Sequence, residues 1–191
     1  SPTTTPIEPP INLKFITPCQ HDDDHSHSEH DHSGADPHIW LSVKNAPVLA
    51  ENTFHALKKA FPEDSVLFRK NYQILMMEIS AVDSAYESNK EKLNGQDFLI
   101  YHPALGYLAK EYDMTQHVLE FEGKEPPPSH VKKIIESIKK ENIKFIFVQK
   151  QFNMDNAKSI AAETGINIIQ IDPLDEDWKK QMLNILSFLT S

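Results

Sequence analysis

The chain has 191 residues, 39% of them apolar, and a formal charge of -9, which allows one large domain or two small ones with a real core. That acidity argues against a nucleic-acid partner, which would need a basic face to displace counterions from phosphates, and it suits a protein that handles cations. Cys19 is the only cysteine, so an intrachain disulfide and a Cys-rich zinc finger are both excluded.

No stretch is long and apolar enough to span a membrane. Ser1 is not an initiator methionine and no positively charged apolar leader follows it, which fits either a removed signal peptide or a fragment. Residues 1–37 place Pro2, Pro6, Pro9, Pro10, Pro18 and Pro37 around one short apolar run, Ile11 to Ile16, that has the length of a single strand. Within this segment, His21 to Trp40 reads HDDDHSHSEHDHSGADPHIW, with six of the chain's ten histidines and six aspartates and glutamates. With almost nothing apolar to bury before Ile39, chain entropy keeps the stretch open as a solvated loop. Its composition is that of metal ligands, against the competing reading of a surface insertion with incidental affinity.

From Ser42, the expected N-cap, helical spacing runs to Ala60 with Ala46, Leu49, Ala50 and Phe54 on one side. Pro62 interrupts it. Phe68, Tyr72, Leu75, Ile79, Val82, Tyr86 and Leu93 then recur at helical spacing, a heptad-like stripe along roughly 38 Å at about 1.5 Å per residue. Such a stripe marks core or coiled-coil packing and predicts a long strut across another layer.

Beyond Asn94 and Gly95, apolar runs alternate with amphipathic segments. Phe98 to Tyr101, Val118 to Phe121, Phe145 to Val148 and Ile166 to Ile171 read as strands. Ala104 to Tyr112, Ser129 to Glu141, Asn153 to Thr164 and Glu176 to Leu189 read as helices. Strict alternation, with strands apolar on both faces, predicts an α/β fold with a four-stranded parallel sheet flanked by helices.

In such a sheet, ligands collect at the carboxyl ends of the strands. That rule selects His102 after Tyr101, Glu122 after Phe121, Gln149 after Val148 and Asp172 after Ile171. Histidine and carboxylate meeting across a crevice suit zinc, which accepts both in tetrahedral geometry. His38, in Asp36-Pro37-His38, is stiffened by Pro37 and anchored by Ile39 and Trp40. A firmly held histidine beside a His-rich loop predicts a tight site next to a weaker collector formed by His21, His25, His27, His30 and His32. Taken singly these signals are weak, since a histidine after a strand is more often a satisfied core group and Asp172-Pro173 is a common turn. His55, His117 and His130 read as structural, and Glu120, Glu122 and Glu125 as a solvated acidic turn ahead of Pro126 to Pro128.

Together, Asp36-Pro-His-Ile-Trp-Leu, the long helix, His102-Pro-Ala-Leu-Gly-Tyr, Glu125-Pro-Pro-Pro and Asp172-Pro-Leu resemble the metal-binding solute-binding proteins of zinc and manganese ABC importers, over about residues 36–190. The likeness is nearest to the zinc-uptake type. It implies two α/β lobes joined by a rigid helix with the metal between them. Residues 1–42 would be a remnant of the amino-terminal lobe with the His-rich loop at 21–33, 43–94 a helix and the long linker helix, and 95–191 the carboxyl-terminal lobe. By the same resemblance His38, His102 and Asp172 are metal ligands, with Glu122 and Gln149 just behind them. Manganese-binding members usually carry Glu at the position of His102, so histidine there favours Zn²⁺ over Mn²⁺. Two departures stand out. The family's first histidine ligand lies in a part of the amino-terminal lobe that this chain does not contain, so the chain is a piece of a longer one, or the ligand comes from His21 to His32, another chain or water. Gln149 stands where the family often has Glu.

The expected function is capture of Zn²⁺ and its delivery to an ABC transporter permease, in the periplasm or another extracytoplasmic, membrane-associated location, with any lipid anchor outside this chain. No bond is broken, so no enzyme is expected. Because imidazole must be deprotonated to bind metal, affinity should fall below about pH 6.5, the reference histidine value. The rivals are a metal-dependent surface adhesin or scaffold of the same fold, a zinc hydrolase using Glu122 as base, which lacks His-Glu-x-x-His, and a cytosolic metal chaperone built on the His-rich loop alone.

Overall fold

The structure is a computed structural model that describes residues 13–16, 34–121 and 123–191; the five collector histidines and Glu122 lie outside the described residues. A 3-10 turn at Ile39–Leu41 leads into α1, Ala46–Ala60, and a second at Pro62–Asp64 leads into α2, Ser65–Ser88. A short helix α3, Lys90–Leu93, then enters the alternating half: β1 Asp97–Ile100, α4 Gly106–Glu111, β2 Thr115–Val118, α5 Pro128–Lys140, β3 Phe145–Gln149, α6 Asp155–Thr164, β4 Asn167–Ile171 and α7 Trp178–Leu189. No described helix is long and apolar enough to cross a membrane.

All strand pairs are parallel, in the order β2-β1-β3-β4. Alternation along β1 sends Phe98 and Ile100 to one face and Leu99 to the other. The first face packs with Phe147 and Ile171 against Val82 and Tyr86 of α2, Leu108 of α4 and Ile185 of α7. The second packs with Ile146 and Val148 against Ile134 and Ile138 of α5 and Ile160 of α6. The α/β expectation therefore holds, as two helical layers around one sheet. From β1 the chain goes to β2 on one side, whereas β3 pairs on the other, so the order reverses between β1 and β3. Ligands bind at such a reversal, at the carboxyl ends of the strands.

Three expectations are corrected. The helix expected from Ser42 starts at Ala46, because Ser42 Oγ accepts from the Asn45 amide at 2.8 Å and so closes the turn before the helix. The second strand ends at Val118 rather than Phe121; the apolar residues after it continue the ladder only as far as Glu120, whose amide donates to Tyr101 at 2.9 Å. Among the described residues of the amino-terminal apolar run, Leu13 to Ile16 form no strand. The backbone of Lys14 pairs there with a side chain: Lys14 N donates to Asn45 Oδ1 at 3.1 Å and Asn45 Nδ2 donates to Lys14 O at 2.9 Å.

The strut is real but shorter than the stripe. Its 24 residues span about 36 Å at 1.5 Å per residue, and the helix breaks at Asn89. Ile79, Val82 and Tyr86 are buried, and Tyr86 OH donates to Met182 O of α7 at 2.9 Å. Toward the other end Leu75 is 41% exposed, and α1 and α2 border an open apolar groove of about 450 Å³.

Candidate metal centre

At the reversal between β1 and β3 stands His102. Its backbone is clasped by Gln149, the last residue of β3, which accepts from His102 N at 3.3 Å and donates through Nε2 to His102 O at 2.6 Å. Gln149 thus closes the strand rather than following it, and it is buried. The His102 ring lies stacked on Phe152, centroids 5.3 Å apart, and its Nδ1 meets Glu120 Oε1 at 2.7 Å.

His38 arrives from the opposite side. The segment before it is tied to the amino-terminal run, with Asp36 N donating to Ile16 O at 2.8 Å. Asp36 is buried, its carbonyl accepts from Tyr107 OH at 2.8 Å, and its Oδ1 accepts both the amide of His38 and, at 2.8 Å, His38 Nδ1. Because Tyr107 is in the first turn of α4, the helix that follows His102, the His38 loop is keyed to the same element as its counterpart. Trp40 flanks the His38 ring at 5.5 Å.

The two imidazoles face each other edge-on, with Nε2 to Nε2 at 3.3 Å and ring planes at 72°. Two ligands about 2.0–2.1 Å from a tetrahedral zinc stand roughly 3.3–3.4 Å apart, and the separation of the two Nε2 atoms has that length.

Asp172 follows β4, and its loop is tied to the His38 loop, since Trp40 Nε1 donates to Pro173 O at 2.9 Å. The carboxylate itself accepts from Lys150 Nζ and Gln151 Nε2, each at 3.2 Å, and from the Leu174 amide at 3.2 Å. Burial pushes this carboxyl up, but the bonds from Gln151, Lys150 and Leu174 outweigh it and hold the group below its ordinary range. Among the described residues no three His, Cys, Asp or Glu side chains are gathered as a metal-holding group. The structure therefore brings His38, His102 and Gln149 together and leaves Asp172 engaged by Lys150 and Gln151.

Glu120 was read as part of a solvated turn, and the structure corrects that: it is 8% exposed and holds His102. The signal for it was the strand register. Ile100 pairs with Val118, and two residues further along the same parallel ladder His102 stands beside Glu120. Among the other described histidines, His117 Nε2 lies 2.6 Å from Asp97 Oδ1, His130 Nε2 lies 3.0 Å from Val118 O, and His55 Nε2 lies 3.9 Å from Glu51 Oε1.

Parallel strands with donors gathered at a reversal of strand order define an α/β ligand-binding protein. Residues 4–189 match the family described as "ZnuA: Zinc-uptake complex component A periplasmic". The chain belongs to that family, the one its motifs resembled. It is 30% identical over 161 residues to the zinc-binding protein AdcA of Streptococcus pyogenes serotype M18, covering 82% of this chain and 31% of that protein. A crystal structure of ZnuA superposes with a TM-score of 0.77 at 27% identity, covering 86% of this chain and 65% of that one. The laminin-binding protein Lbp of Streptococcus pyogenes gives 0.71 at 25% identity, over 81% of this chain and 66% of that one. The chain thus spans about a third of the length of the curated relative and about two thirds of the solved ones.

Proposed function

We propose that the chain captures Zn²⁺ reversibly through Nε2 of His38 and His102 and hands it, outside the cytoplasmic membrane, to an ABC transporter permease. The observation that carries this reading is the 3.3 Å separation of the two ring nitrogens, which matches a tetrahedral edge, while each ring's other nitrogen is already engaged. The zinc-uptake description of the family and the zinc-binding relative support the same cargo. Asp172 is the third donor in this reading, joining the cation once it exchanges Lys150 and Gln151 for it; water or a donor from His21 to His32 completes the shell, and Glu122 and Gln149 back it. The His-rich positions raise the local metal concentration. Nothing in the cycle requires a bond to break.

Isothermal titration with Zn²⁺ and Mn²⁺ tests the reading. His38→Ala and His102→Ala should each cost more affinity for Zn²⁺ than the roughly 10–100-fold that an outer-shell carboxylate contributes. Deleting residues 21–33 should leave one tight site. Unchanged affinity in both histidine variants would sink the proposal, and complete loss on deleting the loop would favour a chaperone built on the loop alone. The adhesin reading draws on the laminin-binding relative, and capture of a matrix glycoprotein by the metal-loaded chain would favour it.

A further inference from the structure

We infer that the carboxylates of Asp36 and Glu120 are positioning residues that lock both imidazoles in one tautomer, with the proton on Nδ1 and the Nε2 lone pairs aimed at a shared point. A neutral imidazole carries a single N–H, and an ionised carboxylate only accepts, so a ring nitrogen resting against a carboxylate is the one that keeps the proton. Asp36 Oδ1 stands 2.8 Å from His38 Nδ1 and Glu120 Oε1 stands 2.7 Å from His102 Nδ1, both carboxylates being nearly buried. Without these two acceptors only the 3.3 Å contact between the two Nε2 atoms would distinguish the ring nitrogens, and that contact places the proton on Nε2 of one ring, where it blocks a metal.

The two anchors are built differently. Asp36 is two residues from the ring it holds and is itself held by Tyr107 and Ile16. Glu120 is brought to His102 by the β1–β2 register, so it couples the ring to the sheet. Phe152 on the face of His102 and Gln149 on its backbone fix where the ring sits; Glu120 fixes which nitrogen it offers. A carboxylate on the far N–H also raises the basicity of the donor nitrogen, which strengthens its bond to a cation.

The affinity part of this inference rests on the zinc-capture reading; the tautomer part does not. Long-range proton–nitrogen correlation spectra of the metal-free, nitrogen-15-labelled chain should show His102 as the Nδ1–H form. Glu120→Ala should convert it largely to the Nε2–H form, while Glu120→Gln, whose carbonyl oxygen still accepts, should keep Nδ1–H. In zinc titrations Glu120→Ala should lose about 10–100-fold and Glu120→Gln clearly less, with circular dichroism unchanged. If His102 stays Nδ1–H in Glu120→Ala, or that variant binds zinc like the parent, the inference is overturned. Should Glu120→Ala fail to fold, Glu120→Asp, too short to reach the ring, gives the same readings. A parent chain indifferent to zinc would instead overturn the capture reading, and the spectra would still decide the role of Glu120.

Discussion

At Gly106 an added Cβ would lie 2.9 Å from Asp36 Oδ2 and 3.3 Å from Ile16 Cδ1. The backbone there is ordinary for any residue, so the need for glycine is one of close approach. The atom that must yield is the carboxylate that aims His38. Gly106→Ala should therefore weaken zinc binding by about tenfold, at the low end of what an outer-shell partner is worth. The accompanying stability loss should stay near 1 kcal/mol, since only a side-chain tip has to move. Paired titrations and urea melts separate the two effects; a variant that lost stability but bound zinc normally would show that Asp36 packs without aiming the ring.

Between elements, the carboxylate of Glu111 at the end of α4 ties down the turn ahead of α1. It accepts from Ser42 Oγ, from Val43 N at 3.0 Å and from Lys44 N at 3.4 Å. Burial pushes this carboxyl above its ordinary value of 4.5, and the bonds from Ser42, Lys44 and Val43 pull it only part of the way back. The native state therefore keeps a proton that the unfolded chain has already lost. Stability from this group is complete below pH 4.5 and declines as pH rises through the raised value. Glu87 of α2 has the opposite sign: its bond to Lys44 lowers it, so its contribution is present above 4.5 and is lost as pH falls. Urea unfolding from pH 4.5 toward neutrality should show a flatter curve for Glu111→Gln than for the parent. An identical slope in the two proteins would mean that Glu111 does not titrate in this window.

Across the whole molecule, two indoles join the loops that carry the candidate ligands. Trp40 Nε1 donates to Pro173 O at 2.9 Å, and Trp178 Nε1 of α7 donates to Trp40 O at 2.8 Å. His38, two residues from Trp40, and Asp172, next to Pro173, are thus held in register over more than a hundred residues of chain. Trp40→Phe keeps most of the apolar contact and removes one donor, which should cost about 1 kcal/mol of stability. Its larger effect should be on zinc affinity in the parent background and a small one once Asp172→Ala has removed the carboxylate. Full additivity of the two substitutions would show that the indole does not couple the loops.

The sequence by itself determined the sheet and its helical layers, because β1, β3 and β4 are short apolar runs bounded by polar segments, as strands covered on both faces must be, and each helix carries its own 3.6-residue face. It also determined that His38 and His102 are chemically marked, through the rigid Asp-Pro-His turn and the position after a strand. Only the tertiary structure decided that the two ring nitrogens stand 3.3 Å apart, that Glu120 leaves solvent to hold one of them, and that Asp172 is engaged by Lys150. Those facts depend on a strand register and a change of strand order. A register shift of a few residues leaves the apolar pattern nearly unchanged and moves every polar side chain at the strand end to a different neighbour.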